Sequence, residues 1–172
     1  MRDNKASMPS YMRDFASHME DAAGRGQGAA TDGEEDFCPA FGFLRGLDAR
    51  AQAVEFRLGG GNSEWFAYSC LVSWRLNPSL GLLLKFTSGD GVSLVLIHGS
   101  NLDAPVGQSQ VNLTDRGLQR HRIVFVREMS EAELRQAGRG APSIDRIDIG
   151  EFETVEEQKE WLKERAAGFL RR

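Results

Sequence analysis

The sequence has only two cysteines among its 172 residues, Cys38 and Cys70. They stand 32 positions apart and neither belongs to a CxxC pair, which excludes a disulfide framework and a cysteine-based zinc site. Two buried or partly buried thiols are therefore expected. A single Cys38–Cys70 bridge is the alternative, and spacing in the sequence does not test it.

Long apolar runs are also missing. Apolar runs such as residues 82–84 and 94–97 are far too short to cross a bilayer. The N-terminus is polar and has no apolar stretch typical of a signal peptide. These absences predict a soluble, cytoplasmic protein with no membrane partner.

An excess of basic charge is absent as well. The net charge is −4, and residues 1–36 carry four basic and eight acidic side chains, which accounts for all of it. The remaining residues, 37–172, carry seventeen of each sign. Because affinity for nucleic acid comes largely from neutralising phosphates, a neutral body disfavours strong non-specific binding to DNA or RNA.

Recognisable catalytic and metal-binding patterns are lacking too. His18, His98 and His121 are scattered, and none has a second metal ligand close by in the sequence. His98 together with Asp103 or Ser100 would be the start of a hydrolase site, but a strand-end histidine bonded to a turn explains it better. We therefore predict no catalytic residue, no metal and no cofactor, and a protein that is not an enzyme.

Residues 1–36 are predicted to form a disordered, acidic, glycine-rich tail. The stretch GRGQGAATDGEED has almost no large apolar residue, so burial cannot offset the entropy cost of ordering it. Before it, Tyr11, Met12, Phe15 and Met19 lie at helical spacings and predict one short amphipathic segment. This segment is either a transient helix on the tail or a docking helix for a partner groove or a second subunit.

Alternating apolar residues predict a β-rich body over residues 37–152. Val54, Phe56 and Leu58 alternate with charged residues, and the GGGN that follows predicts a hairpin turn because glycine accepts positive φ angles. The surrounding RLGGGNSE lacks the lysine of a phosphate-binding loop. The stretches LGLLLKFTS and VSLVLIHG are the strongest strands, and both are apolar on both faces, so we expect each face to be covered.

Two capping boxes predict helices. Ser130 with Glu133 starts a short helix near residues 131–137, and Thr154 with Glu157 starts a C-terminal helix. The C-terminal helix carries one apolar stripe, made of Trp161, Leu162, Ala166, Phe169 and Leu170. A further short helix is expected near residues 113–119, capped by Asn112.

Together these elements predict an α+β fold. We expect a strongly bent antiparallel sheet, or a small partly open β-barrel, of five to six strands, with an amphipathic C-terminal helix covering one side. The chain then divides into the tail (1–36), a β-rich domain (37–152) and the C-terminal helix (153–172), which packs on the domain or on a partner.

A basic triplet is the best candidate for binding an anion. Arg120, His121 and Arg122 stand directly before the apolar stretch IVFV. Three cationic or titratable side chains in a row suit a phosphate or another anion. They also suit the solvated end of a buried strand, which is the more common reason for charge at that place.

A row of aromatic residues is the second candidate surface. Trp65, Tyr68 and Trp74, with Phe66 between them, follow the proposed hairpin turn. Aromatic side chains stack nucleic-acid bases when basic residues run beside them. A core or a subunit interface explains the same residues without nucleic acid, and the neutral body favours that explanation.

Residues 41–128 resemble a group of small bacterial β-rich proteins with no established activity. The segments that carry the resemblance are VEFRLGGGNSEWFAYSCLVSWRLNPSLGLLLKF, VSLVLIHGSNL and HRIVFVRE. The resemblance implies one compact β-rich domain and no catalytic residue.

The function expected from these observations is a non-catalytic binding or assembly module that self-associates through aromatic side chains and the C-terminal helix. The alternative is a small β-barrel that binds nucleic acid or an anionic ligand through the basic triplet and the aromatic row.

Overall fold

The computed structural model describes residues 35–89 and 91–170, which belong to the second of the two units into which the chain divides, Thr31–Arg172. The predicted amphipathic segment at Tyr11–Met19 lies outside the described residues. The strands are β1 (Glu35–Phe37), β2 (Phe41–Leu44), β3 (Ala53–Arg57), β4 (Ser63–Ala67), β5 (Leu71–Asn77), β6 (Gly81–Ser88), β7 (Gly91–Ser100), β8 (Ile123–Arg127) and β9 (Ser143–Phe152). The helices are α1 (Glu131–Gln136) and α2 (Val155–Ala166), with 3-10 turns at Tyr68–Cys70, Leu118–Arg120 and Ala167–Leu170.

The strands form two sheets. The first has the order β1-β2-β8-β3-β4 and the second β5-β6-β7-β9. Every neighbouring pair is antiparallel except β3 and β8, which are parallel. The α+β class is thus confirmed.

The predicted single bent sheet or barrel of five to six strands is not what forms. The described residues make nine strands in two sheets that are not closed into a barrel. The two sheets separate between β4 and β5, where the sequence predicts one nearly continuous stretch of strand. In the structure the 3-10 turn Tyr68–Cys70 interrupts this stretch and carries the chain from β4 in one sheet to β5 in the other.

An inner core fills the space between the sheets. Alternate residues of β3, β6 and β7 point inward, as the two-residue period of a strand requires. Three aromatic rings contact one another in this core: Phe66 lies 4.6 Å from Phe86 and 5.8 Å from Phe56, centroid to centroid. Burial of large aromatic rings between the facing sheets stabilises their packing.

The second sheet is covered on its outer face by α2. Leu83, Leu94 and Leu96 are buried there against side chains of the helix and the turn after it, namely Leu162, Ala166 and Phe169. The last of these lies in the 3-10 turn Ala167–Leu170, whose carbonyl at Phe169 accepts a hydrogen bond from Arg75. Both faces of β6 and β7 are therefore buried, as their apolar composition predicts.

The prediction of a helix near residues 113–119 is wrong. A 3-10 turn at Leu118–Arg120 is all that forms in this stretch. The Asn112 side chain accepts a hydrogen bond from the Arg116 amide at 3.1 Å and donates to the Asp103 carbonyl at 3.2 Å. These bonds satisfy the local backbone in a non-helical loop, which is the usual reason why asparagine competes with helix.

Both predicted capping boxes are present. In α1, Ser130 accepts from the Glu133 amide and the Glu133 carboxylate accepts from the Ser130 amide; Thr154 and Glu157 do the same for α2. Glu133 also pairs with Arg127 of β8. The ion pair with Arg127, followed by the hydrogen bonds from Ser130, lowers the pKa of Glu133 from its usual value to about 2.

Glu133 should make the stability of the protein depend on pH in the acid range. A pKa that is depressed by folding stabilises the native state above the ordinary carboxyl value, and the effect is lost as the pH falls toward about 2. In Glu133→Gln the capping bond persists but the ion pair is lost. We expect the difference in free energy of unfolding between wild type and Glu133→Gln to be largest near neutral pH and to shrink below about pH 4.5. Urea unfolding at a series of pH values measures it; a difference that is constant with pH would contradict the assignment.

Candidate functional site

The basic triplet does not form one exposed surface. Arg120 is exposed, while the Arg122 side chain is only 1% exposed. The Arg122 Nε donates to the Leu44 carbonyl at 2.8 Å and its Nη2 donates to the Arg45 carbonyl. Arg122 thus anchors the end of β2 and the loop that follows, which the strand pattern of the sequence does not reveal.

No acidic side chain pairs with Arg122 among the described residues. Burial lowers the pKa of Arg122, and the positive charges of Arg120 and Arg50 lower it further. Arg50 is exposed and donates through Nη1 to the carbonyls of Leu47 and Ala49. One end of the first sheet therefore concentrates three arginines.

His121 belongs to the packing around Tyr68. Its ring stacks on the Tyr68 ring at 4.5 Å with 15° between the planes, and its backbone is left-handed, with φ of 53°. The Tyr68 hydroxyl donates to the Ile123 carbonyl at 2.8 Å, and burial raises the pKa of that hydroxyl. Tyr68 is a core residue and is not available to stack a base.

The other aromatic residues predicted to share a surface also separate. Trp65 is 65% exposed on the outside of the first sheet, and Trp74 is half-buried against the inner core. Phe66 points into that core. The six predicted binding residues, Trp65, Tyr68, Trp74, Arg120, His121 and Arg122, therefore lie in several different environments.

A different aromatic row is present on the outer face of the first sheet. Cross-strand pairing places five residues in line, one from each strand: Phe37, Gly42, Phe125, Glu55 and Trp65. We call this line the outer row. Phe37 is 74% exposed, and neither described helix covers it or Trp65. The outer row therefore has an exposed aromatic side chain at each end, whereas Phe125 is half-buried and Glu55 is only 7% exposed.

The centre of the outer row is held in place by close contacts. The Phe125 ring lies over Gly42, where an added Cβ would come within 2.2 Å of the ring. The Arg57 guanidinium carbon lies 3.9 Å from the Phe125 centroid, and Arg57 pairs with Glu55 at 2.7 Å. Burial raises the pKa of Glu55, but hydrogen bonds from Arg57 and Ser63 outweigh it, so the pKa is lowered overall.

Sequence reasoning missed Phe37, Phe125 and Arg50 as surface residues. In the sequence Phe37 stands in a cluster with Phe41 and Phe43, and Phe125 lies inside an apolar run. The one available signal is Gly42, because a glycine between two phenylalanines leaves room for a ring from the neighbouring strand. That strand is β8, about eighty positions away, so the signal has no meaning until the pairing is known.

His98 does not join the residues that would make it a catalytic base. Its Nε2 lies 2.9 Å from the Asp148 carboxylate and 3.0 Å from Arg146 Nη2. Ser100 and Asp103 instead line a separate cavity of about 300 Å³ at the end of β7. The cavity brings no nucleophile to His98.

The two cysteines form neither a disulfide nor a metal site. Cys38 and Cys70 are free, half-buried thiols, and burial raises the pKa of Cys38. Across residues 35–89 and 91–170 no group of histidine, cysteine, aspartate and glutamate side chains has the arrangement of a metal site. Within the same residues no helix is both long enough and apolar enough to span a membrane.

Comparison of the chain with protein-family models, with curated proteins and with solved structures finds no significant match. The resemblance of residues 41–128 to small bacterial β-rich proteins stays a prediction.

Proposed function

We propose that this chain is a non-catalytic assembly module that forms a homodimer through the outer face of its first sheet. The observation that carries the proposal is the outer row, in which Phe37 and Trp65 are 74% and 65% exposed. Exposed aromatic side chains grouped on one face are typical of protein interfaces. The proposal does not involve α2, because Leu162, Ala166 and Phe169 of its apolar stripe are already buried on its own sheet.

The outer row is self-complementary, which favours a second copy of the chain as the partner. Phe125 lies on the central strand, and Phe37 and Trp65 lie two strands away on opposite sides. A two-fold axis parallel to β8 and passing beside Phe125 brings Phe37 of one copy against Trp65 of the other. The same operation faces Phe125 with its own copy.

The size of the face indicates a weak dimer. Four strand spacings of about 4.8 Å and five residues of about 3.3 Å give a face of about 19 Å by 17 Å. This is smaller than the roughly 800 Å² per partner of stable interfaces, so we expect a dissociation constant in the micromolar range.

Sedimentation velocity over about 5 to 500 µM protein tests this proposal. We expect wild type to shift from monomer to dimer over that range, and Phe37→Ser and Trp65→Ser to stay monomeric. The matched control is Val72→Ser, because Val72 is 55% exposed on β5 of the other sheet. A wild type that stays monomeric throughout, or a Val72→Ser variant that dissociates equally, would contradict it.

Cross-linking tests the symmetry of the proposed dimer. In a background with both native cysteines replaced by serine, a bismaleimide that spans about 10 Å should join Glu35→Cys in one copy to Ala67→Cys in another, since these exposed residues flank Phe37 and Trp65 on the same strands and face-to-face sheets lie about 10 Å apart. Glu35→Cys alone should cross-link poorly, because the two-fold axis separates its two copies by about 19 Å. Equal yields from all combinations would indicate random collision and argue against the two-fold arrangement.

A further inference from the structure

Three arginines lie at one end of the first sheet without an ion-pair partner among the described acidic residues. Arg122 is buried and Arg50 and Arg120 are exposed nearby, and none of the three forms an ion pair within the described part of the chain. Arg45 in the same loop differs, because its Nε lies 3.2 Å from the Asp36 carboxylate.

Hydrogen bonds hold these arginines on two segments that are tied together. The Leu44 amide donates to the Arg122 carbonyl at 2.9 Å, and the Ala51 amide donates to the His121 carbonyl at 2.7 Å. Arg122 donates in the other direction, from its guanidinium to the carbonyls of Leu44 and Arg45. Both ends of the loop 45–51 are therefore fixed against the turn 118–122.

Gathering unpaired positive charge around a buried guanidinium is unfavourable unless an anion binds there. A charge removed from water costs free energy that carbonyl acceptors recover only in part, and two further cations nearby add repulsion. The arrangement persists in the fold because Arg122 is needed to anchor the loop. An oxyanion at the surface would remove the repulsion.

We propose that the loop 45–51 and the turn 118–122 form a binding site for a phosphate group. Arg50 and Arg120 contact the phosphate oxygens, and Arg122 holds the loop in place and adds positive charge from behind. Guanidinium groups suit this ligand, since their planar N–H donors match the spacing of phosphate oxygens. The site is independent of the outer row, so either proposal stands if the other fails.

Titration with inorganic phosphate, followed by two-dimensional amide NMR at constant ionic strength, tests the site. We expect saturable shifts at the amides of 45–51 and 118–122, with a dissociation constant of roughly a millimolar or below. Arg50→Met and Arg120→Met should each weaken binding about tenfold, as expected for the loss of one charged contact. Arg139→Met is the matched control, because Arg139 is an exposed arginine in the distant loop 137–142.

Two comparisons decide the outcome. Identical shifts on addition of chloride, or equal binding by wild type and the Arg50→Met and Arg120→Met variants, would overturn the proposal. A nucleoside 5′-monophosphate titrated beside inorganic phosphate distinguishes the source of the ligand: equal affinities indicate that the phosphate group alone is recognised, and tighter nucleotide binding that is still lost in Arg50→Met indicates a nucleotide. Both variants remove exposed side chains, so unfolding midpoints close to that of wild type are expected and confirm that folding is intact.

Discussion

Replacing Gly81 by alanine is expected to destabilise the protein by about 4 kcal/mol, a large fraction of the stability of a domain this size. Gly81 begins β6 with φ of 113°, a conformation that residues with a side chain rarely adopt. A Cβ at this position would lie 2.1 Å from the Ile97 carbonyl oxygen, which belongs to the backbone of β7. Since that oxygen cannot rotate away, the alanine must push apart the two central strands of the second sheet. Urea unfolding measures the loss.

Two glycines in the β3–β4 turn separate the causes of this effect. Gly61 has φ of 86° with no atom within 4 Å of an added Cβ, so Gly61→Ala should show backbone strain alone, about 1 to 2 kcal/mol. Gly60 has neither a positive φ nor an atom within 4 Å of an added Cβ, so Gly60→Ala should change the free energy of unfolding by less than about 0.5 kcal/mol. If Gly81→Ala lowers the free energy of unfolding no more than Gly61→Ala does, the close approach of β6 to β7 is not the reason why position 81 requires glycine.

Replacing Arg122 by methionine should cost about 2 to 3 kcal/mol. Methionine keeps the apolar stem but leaves the part-buried carbonyl acceptors of Leu44 and Arg45 without their donor. The substitution also removes a charge whose burial is itself unfavourable, and this offsets part of the cost. The expected loss of stability is therefore smaller than the free energy of two unsatisfied hydrogen-bond acceptors. Arg122→Lys should not restore stability, because an ammonium group lacks the planar fork that reaches both carbonyls.

The neighbouring arginine is the matched control for this substitution. Arg120 carries the same charge two positions earlier, but its side chain is exposed and makes no hydrogen bond to any described residue. Arg120→Met should therefore alter the free energy of unfolding by less than about 0.5 kcal/mol. Equal stability of the Arg122→Met and Arg120→Met variants would show that the buried guanidinium does not hold the loop.

The helix starts and the strongest strands were predictable from the sequence. Capping depends on side chains three residues apart, so Ser130 with Glu133 and Thr154 with Glu157 reveal both helices without knowledge of the rest of the fold. The β6–β7 hairpin is equally local, since two apolar stretches joined by a glycine-containing turn pair in one way.

The division into two sheets was not predictable in this way. β8 lies between β2 and β3, with partners about seventy to eighty positions away in the sequence. Both β2 and β8 are short and apolar, and such strands do not specify their neighbours. The sequence pattern therefore predicted the existence of β8 but not its place between β2 and β3.

The candidate site shows the same limit. By itself the sequence determined which residues are basic, aromatic or apolar, and where most strands and helices begin, because those properties depend on neighbours within a few positions. Only the tertiary structure decided that Arg122 is buried while Arg120 is exposed, and that Phe37 and Trp65 lie outside while Tyr68 lies inside. The physical reason is that a side chain's face is set by register and by what packs against its sheet, and both come from residues far away in the chain.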